Sequence, residues 1–79
     1  MTIRIEGGVI YVEGRCPVDD AERLFVAIRE HPRAPVDIHL AERLHMAVAQ
    51  ILLALGPELR GRCADPFLDQ HVLASARAG

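Results

Sequence analysis

Ile3 and Ile5 alternate with Arg4 and Glu6 near the start of the chain, the period-2 pattern of a strand with one buried face. Gly7-Gly8 follows directly, a pair that tolerates positive φ and predicts a tight hairpin. Val9 to Glu13 is rich in β-branched and aromatic side chains and should pair back antiparallel, with Gly14 ending it. The period then changes. Pro17 followed by Asp19, Asp20 and Glu22 marks a helix start, its carboxylates set against the positive end of the helix dipole. Ala21, Leu24, Phe25 and Ile28 recur at i, i+3, i+4 and i+7 as one apolar face, and Arg29, His31 and Pro32 close the far end. The spacing predicts a helix over 18–31.

Val36-Asp37-Ile38-His39-Leu40 reads as another β-type segment. Reached through a helix, it should lie parallel to an earlier strand. Leu44, Val48, Ile51, Leu52 and Leu55 then repeat at helical spacing up to the Gly56-Pro57 stop, which predicts a helix over 44–55. Leu59 to Cys63 alternates weakly, as an edge strand does. Asp65-Pro66 is an N-cap followed by proline at the first helical position, and Phe67, Leu68, Val72 and Ala76 mark the apolar side of a third helix over 66–77. The order β-β-α-β-α-(β)-α predicts an α/β fold with a small mixed sheet of three to four strands and about three helices. Residues 1–79 form a single domain in this reading.

Composition narrows the function. A chain of 79 residues buries only roughly 60% of its extended-chain surface, so its stability margin is thin even at 51% apolar content. Net charge is −2, all nine basic residues are arginine, and only Tyr11, Phe25 and Phe67 could stack on bases. That argues against nucleic acid, whose binders present a basic face. Met46 to Leu55 is the longest apolar run, interrupted by Gln50 and far short of the roughly 20 residues a membrane span needs. Arg4 and Glu6 stand where a signal peptide would carry its apolar stretch, so the expected location is the cytoplasm. Ser75 and Thr2 are the only hydroxyl side chains besides Tyr11, and there is no asparagine, which leaves little for a Ser/His/Asp hydrolase.

Candidate chemistry is sparse. Cys16 follows Arg15 and precedes a predicted helix, and both features favour thiolate, although a packed and unreactive cysteine is the better reading. Cys63 has no C-x-x-C partner. His31, His39, His45 and His71 show neither H-E-x-x-H nor Cys/His zinc spacing, so no metal and no other cofactor is expected. Gly7-Gly8 lacks the lysine and the following helix of a phosphate loop. Asp37 alone does not make a pair of catalytic carboxylates.

The stretch DIHLAERLHMAVAQILLA, Asp37 to Ala54, together with the hairpin and helix before it, resembles the STAS domain of bacterial anti-sigma-factor antagonists. Members of that family carry a strand reading like D-L-S, a short loop, and then D-S-S-G-L-G where a helix begins. The resemblance sets His45 at the aspartate, Met46 at the first serine, Ala47 at the phosphorylated serine and Val48 at the glycine. None of the four matches, so the scaffold and an interaction surface carry over and the phosphoryl switch does not. The predicted helix has also lost its polar N-cap. The family adds two strands and two helices after its second helix, against the 24 residues that follow Leu55, which implies a missing edge strand.

The resemblance implies a non-catalytic protein–protein interaction module, a regulatory or scaffolding subunit in bacterial signalling, with Glu42, Arg43, His45, Met46 and Ala47 as the partner-binding residues. Its partner would be another protein, or a second copy in a homodimer, with Arg60 and Arg62 discouraging open-ended pairing at the sheet edge. A small-ligand or nucleotide-binding domain of the same family is the alternative. An enzyme subunit using Cys16 as nucleophile is a third reading, which requires a nearby base and a pocket.

Overall fold

The computed structural model describes residues 2–64, and the helix expected over 66–77 lies outside them. In chain order the elements are β1 (Ile3–Glu6), β2 (Val9–Val12), β3 (Gly14–Cys16), α1 (Asp19–Glu30), β4 (Val36–Asp37), β5 (Ala41–Leu44), α2 (Met46–Leu55) and β6 (Leu59–Arg60). Strands β1, β2, β4 and β6 form one sheet in that order, and β3 and β5 form a separate two-stranded ribbon. The class is α/β, as the alternating periods predict.

Gly7 and Gly8, at φ 58° and 76°, close the hairpin, with Ile3 opposite Val12 and Glu6 opposite Val9. β4 lies parallel to β2, as a strand reached through a helix should, and β6 lies parallel to β4 at the far edge. The segment expected as Val36–Leu40 is paired as a strand only at Val36–Asp37. The Asp37 carboxylate accepts the His39 N–H at 2.9 Å, a local turn that competes with further ladder bonds. β6 is likewise shorter than Leu59–Cys63. It ends at Gly61, where φ is 79° and a Cβ would overlap His39.

The ribbon is the departure from expectation. Gly14, at φ 69°, turns the chain out of β2, and its N–H donates to Leu40 O at 2.9 Å. Residues 14–16 then run parallel to residues 41–44, with a register shift between Gly14 and Arg15. Leu44, read above as the first helical position, is therefore a strand residue. Helix α2 begins two residues later, at Met46. The helical spacing of Leu44 and Val48 was real, but β3 supplies a backbone partner for Leu44 before the helix can start.

One core cluster joins both sheets and both helices. Ile10, Val12, Val36 and Ile38 meet Leu24, Ala27 and Ile28 of α1 and Val48, Ala49 and Leu52 of α2. Ile10, Leu24, Ile38 and Leu52 are fully buried, each contributing about 1.5–3 kcal/mol. Phe25 was expected on the inner face of α1 but is 36% exposed, under the Arg29 guanidinium at 5.6 Å. The buried stripe runs through Asp20, Leu24, Ala27 and Ile28, and position 25 is turned off it. Asp20 is buried because Thr2 Oγ1 donates to its carboxylate, which ties the chain start to α1. No helix among the described residues is long and apolar enough to cross a membrane.

Candidate functional site

The five residues singled out in sequence sit where the ribbon runs into α2. Ala41 and Leu44 point into the core, leaving Glu42 and Arg43 as two consecutive exposed positions of β5. His45 follows as the N-cap of α2, exposed, with φ −58° and ψ 145°. Its own N–H donates to Cys16 O at 2.9 Å, so the cap is anchored to β3. Met46 is 43% exposed and Ala47 is half-buried. The structure thus places Glu42, Arg43, His45 and Met46 in one exposed run, with Ala47 set deeper.

The helix has not lost its polar cap. His45 Nδ1 accepts the Ala47 N–H at 3.1 Å, the bond that a capping aspartate or serine would make. The geometry requires a neutral imidazole with its proton on Nε2, since a protonated ring has no acceptor. The sequence reading missed this because histidine is not among the usual capping residues.

Arg15 is the residue that sequence reasoning did not assign to the site. The β3–β5 register sets it opposite Arg43, and both side chains are exposed. Among the described residues neither makes an ion pair or a side-chain hydrogen bond. Glu42, next in sequence to Arg43, does not neutralise either. The signal was available only through the pairing of two segments that α1 and β4 separate in the chain.

Cys16 and Cys63 are buried, free thiols. Burial pushes the Cys16 thiol up to about 11; the nearby Thr2 hydroxyl opposes the shift and the Asp20 carboxylate adds to it. Arg15, which could have favoured thiolate from its place in the sequence, is exposed on the strand while Cys16 points inward. Cys16 Sγ lies 3.7 Å from Glu13 O and Cys63 Sγ 3.6 Å from Ala41 O, both as donors. A protonated, enclosed thiol is a poor nucleophile.

Among the described residues no three His, Cys, Asp or Glu side chains are grouped to hold a metal ion. His39 has one carboxylate neighbour, Asp37, at 3.4 Å. The arrangement at the ribbon offers exposed charge, an exposed thioether and a helix start. Comparison with known proteins found no matching family model, no matching curated protein and no matching solved structure.

Proposed function

We propose that this chain is a non-catalytic protein–protein interaction module of the bacterial cytoplasm, a regulatory or scaffolding subunit that resembles anti-sigma-factor antagonists without their phosphoserine switch. The observation that carries the reading is the uncompensated Arg15–Arg43 pair beside exposed Met46 and His45. The backbone register sets two exposed arginines side by side with no carboxylate among the described residues paired to either, so a partner carboxylate placed there gains charge-assisted hydrogen bonds. The partner is therefore a protein with an acidic docking face. The site residues are Glu42, Arg43, His45, Met46 and Ala47, now joined by Arg15. Cys16, enclosed and protonated, supports a module without a nucleophile.

Ala47→Asp tests the site. A carboxylate in the first turn of α2 is favoured by about 0.3–1 kcal/mol, so the variant folds. In a desolvated contact with an acidic partner it costs about 2–5 kcal/mol, a thirtyfold or greater loss of affinity. The expected result in pull-downs from native cells is a partner recovered by wild type and by Ala47→Ser, and lost with Ala47→Asp and with Arg15→Glu. Normal capture by folded Ala47→Asp and Arg15→Glu proteins would overturn this docking site.

A further inference from the structure

The outer edge of the four-stranded sheet and the helix beside it form a second surface, which shares no residue with the patch at the ribbon. Ile10 N–H donates to Pro35 O at 3.0 Å, away from β1, while Glu13 N–H donates to Thr2 O at 2.8 Å. Bonded and non-bonded pairs alternate along an antiparallel ladder. Arg4 and Glu6 therefore bond to β2, and Ile3 and Ile5 turn their N–H and C=O groups outward. β1 is an edge strand among the described residues, and no turn or loop bond engages these four groups.

Beside this edge lies a groove of about 1040 Å³ between β1 and α1, with Ile3, Ile5, Val18, Val26 and Ala27 along it. Ile5, Val18 and Val26 are 44%, 51% and 45% exposed, an apolar strip next to a row of free backbone groups. The charges lining it are unequal. Arg4 is engaged by Glu6 and Glu13, and Arg23 faces Asp20 at 3.8 Å. Asp19, Glu22 and Glu30 also line the groove and have no cationic partner among the described residues.

A free edge, an exposed apolar strip beside it and an acidic rim together specify an occupant. A second copy adding its own β1 would bring an identical acidic rim against this one, which like charge disfavours. A foreign strand carrying arginine or lysine meets it with complementary charge. We propose that the β1 edge and the α1 groove take up an extended basic segment of a partner protein as an added strand, its alternate apolar side chains lying on Ile3, Ile5 and Val26.

The test uses the full chain, isotope-labelled, and the peptide Arg-Thr-Val-Thr-Val-Thr-Arg as probe. Saturable NMR shifts at the Ile3, Ile5 and Val26 amides, with slowed exchange of the two isoleucine amides, are expected. The analogue with glutamate at both ends should bind about tenfold more weakly, and so should the basic peptide to the Glu22→Arg, Glu30→Arg double variant. Ile5→Pro should lose the peptide and stay folded, because the N–H it removes points out of the sheet. Shifts confined to other residues, equal binding of the acidic analogue, or full binding by Ile5→Pro would overturn the proposal. So would β1 amides already protected in a concentration-dependent way without peptide, which would place a second copy on the edge. None of these outcomes bears on the Ala47→Asp result.

Discussion

The β1–β2 hairpin and the β3–β5 ribbon are both two-stranded pairings, and they are built in opposite ways. The hairpin strands are neighbours in sequence, joined by two glycines that fix the register. The ribbon strands are parallel, separated by α1 and β4, and no turn sets their register, which shifts after Gly14. Closing the hairpin costs little chain entropy, whereas the ribbon must be held by the core beneath Cys16, Ala41 and Leu44. Their outer surfaces differ in the same sense. On the hairpin, Arg4 makes two bonds to the Glu13 carboxylate, at 3.3 and 3.1 Å, and stands 4.2 Å over the Tyr11 ring. That hydrogen-bonded pairing holds the Glu13 carboxyl below its ordinary range and raises Arg4. On the ribbon, Arg15 and Arg43 face each other without such compensation. On charge alone the ribbon face therefore differs from the Arg4–Glu13 face of the hairpin, whose β1 edge offers outward backbone groups instead.

The largest expected effect contrasts a hairpin glycine with one packed against the loop that leads into the ribbon. Gly61→Ala drives a methyl into His39 at a positive φ, beside the loop that leads into β5, and should cost about 2–4 kcal/mol. Gly8→Ala in the hairpin meets open space and should cost only the backbone term, about 1–2 kcal/mol. Urea midpoints at matched m-values check both. Equal losses would show that the ribbon side depends on tertiary contact no more than the hairpin does.

A smaller effect reads the burial under the ribbon through pH. The folded Cys16 thiol keeps its proton up to about 11, against about 9.0 for an exposed thiol, so between these values the unfolded chain releases a proton that the folded chain retains. Stability from this group is full below about pH 9 and falls as pH rises toward 11. Unfolding free energies measured from pH 8 to 11 should show that decline, and Cys16→Ala should flatten it. An unchanged slope in the variant would place the titration elsewhere.

The smallest effect concerns the junction of ribbon and helix. His45→Ala removes the cap on Ala47 N–H and should cost about 1 kcal/mol, and His45→Asp should restore most of it. Thermal melts of the three proteins decide this. Identical melting of His45→Ala and wild type would mean that the exposed helix start is capped as well by water.

Much of the hairpin, both helices and the parallel placement of β4 were legible because each rests on a local rule. Alternation at Ile3 to Glu6, the Gly7-Gly8 pair, the carboxylates at Asp19, Asp20 and Glu22, and Gly56 with φ 61° at the end of α2 all act within a few residues. Of the site, Glu42, Arg43, His45 and Met46 were legible as an exposed polar run beside a helix start. Arg15 was not, because its membership depends on a strand that no local pattern announces. Phe25 misled for a related reason. Its spacing fits a helical face, and only the packing of Leu24 and Ala27 decides which side of α1 is buried.

The sequence by itself determined the alternation of strand and helix, the hairpin register and the stops at Pro32 and Gly56. Propensity, glycine and proline geometry and side-chain period act over a few residues and need no partner. Tertiary structure alone decided that residues 14–16 and 41–44 form a ribbon, that Arg15 faces Arg43, and that β1 is left with outward backbone groups beside an open groove. Each of these depends on which distant segment completes a hydrogen-bond ladder, and that choice is made by the shared core, where Cys16, Ala41 and Leu44 are buried together.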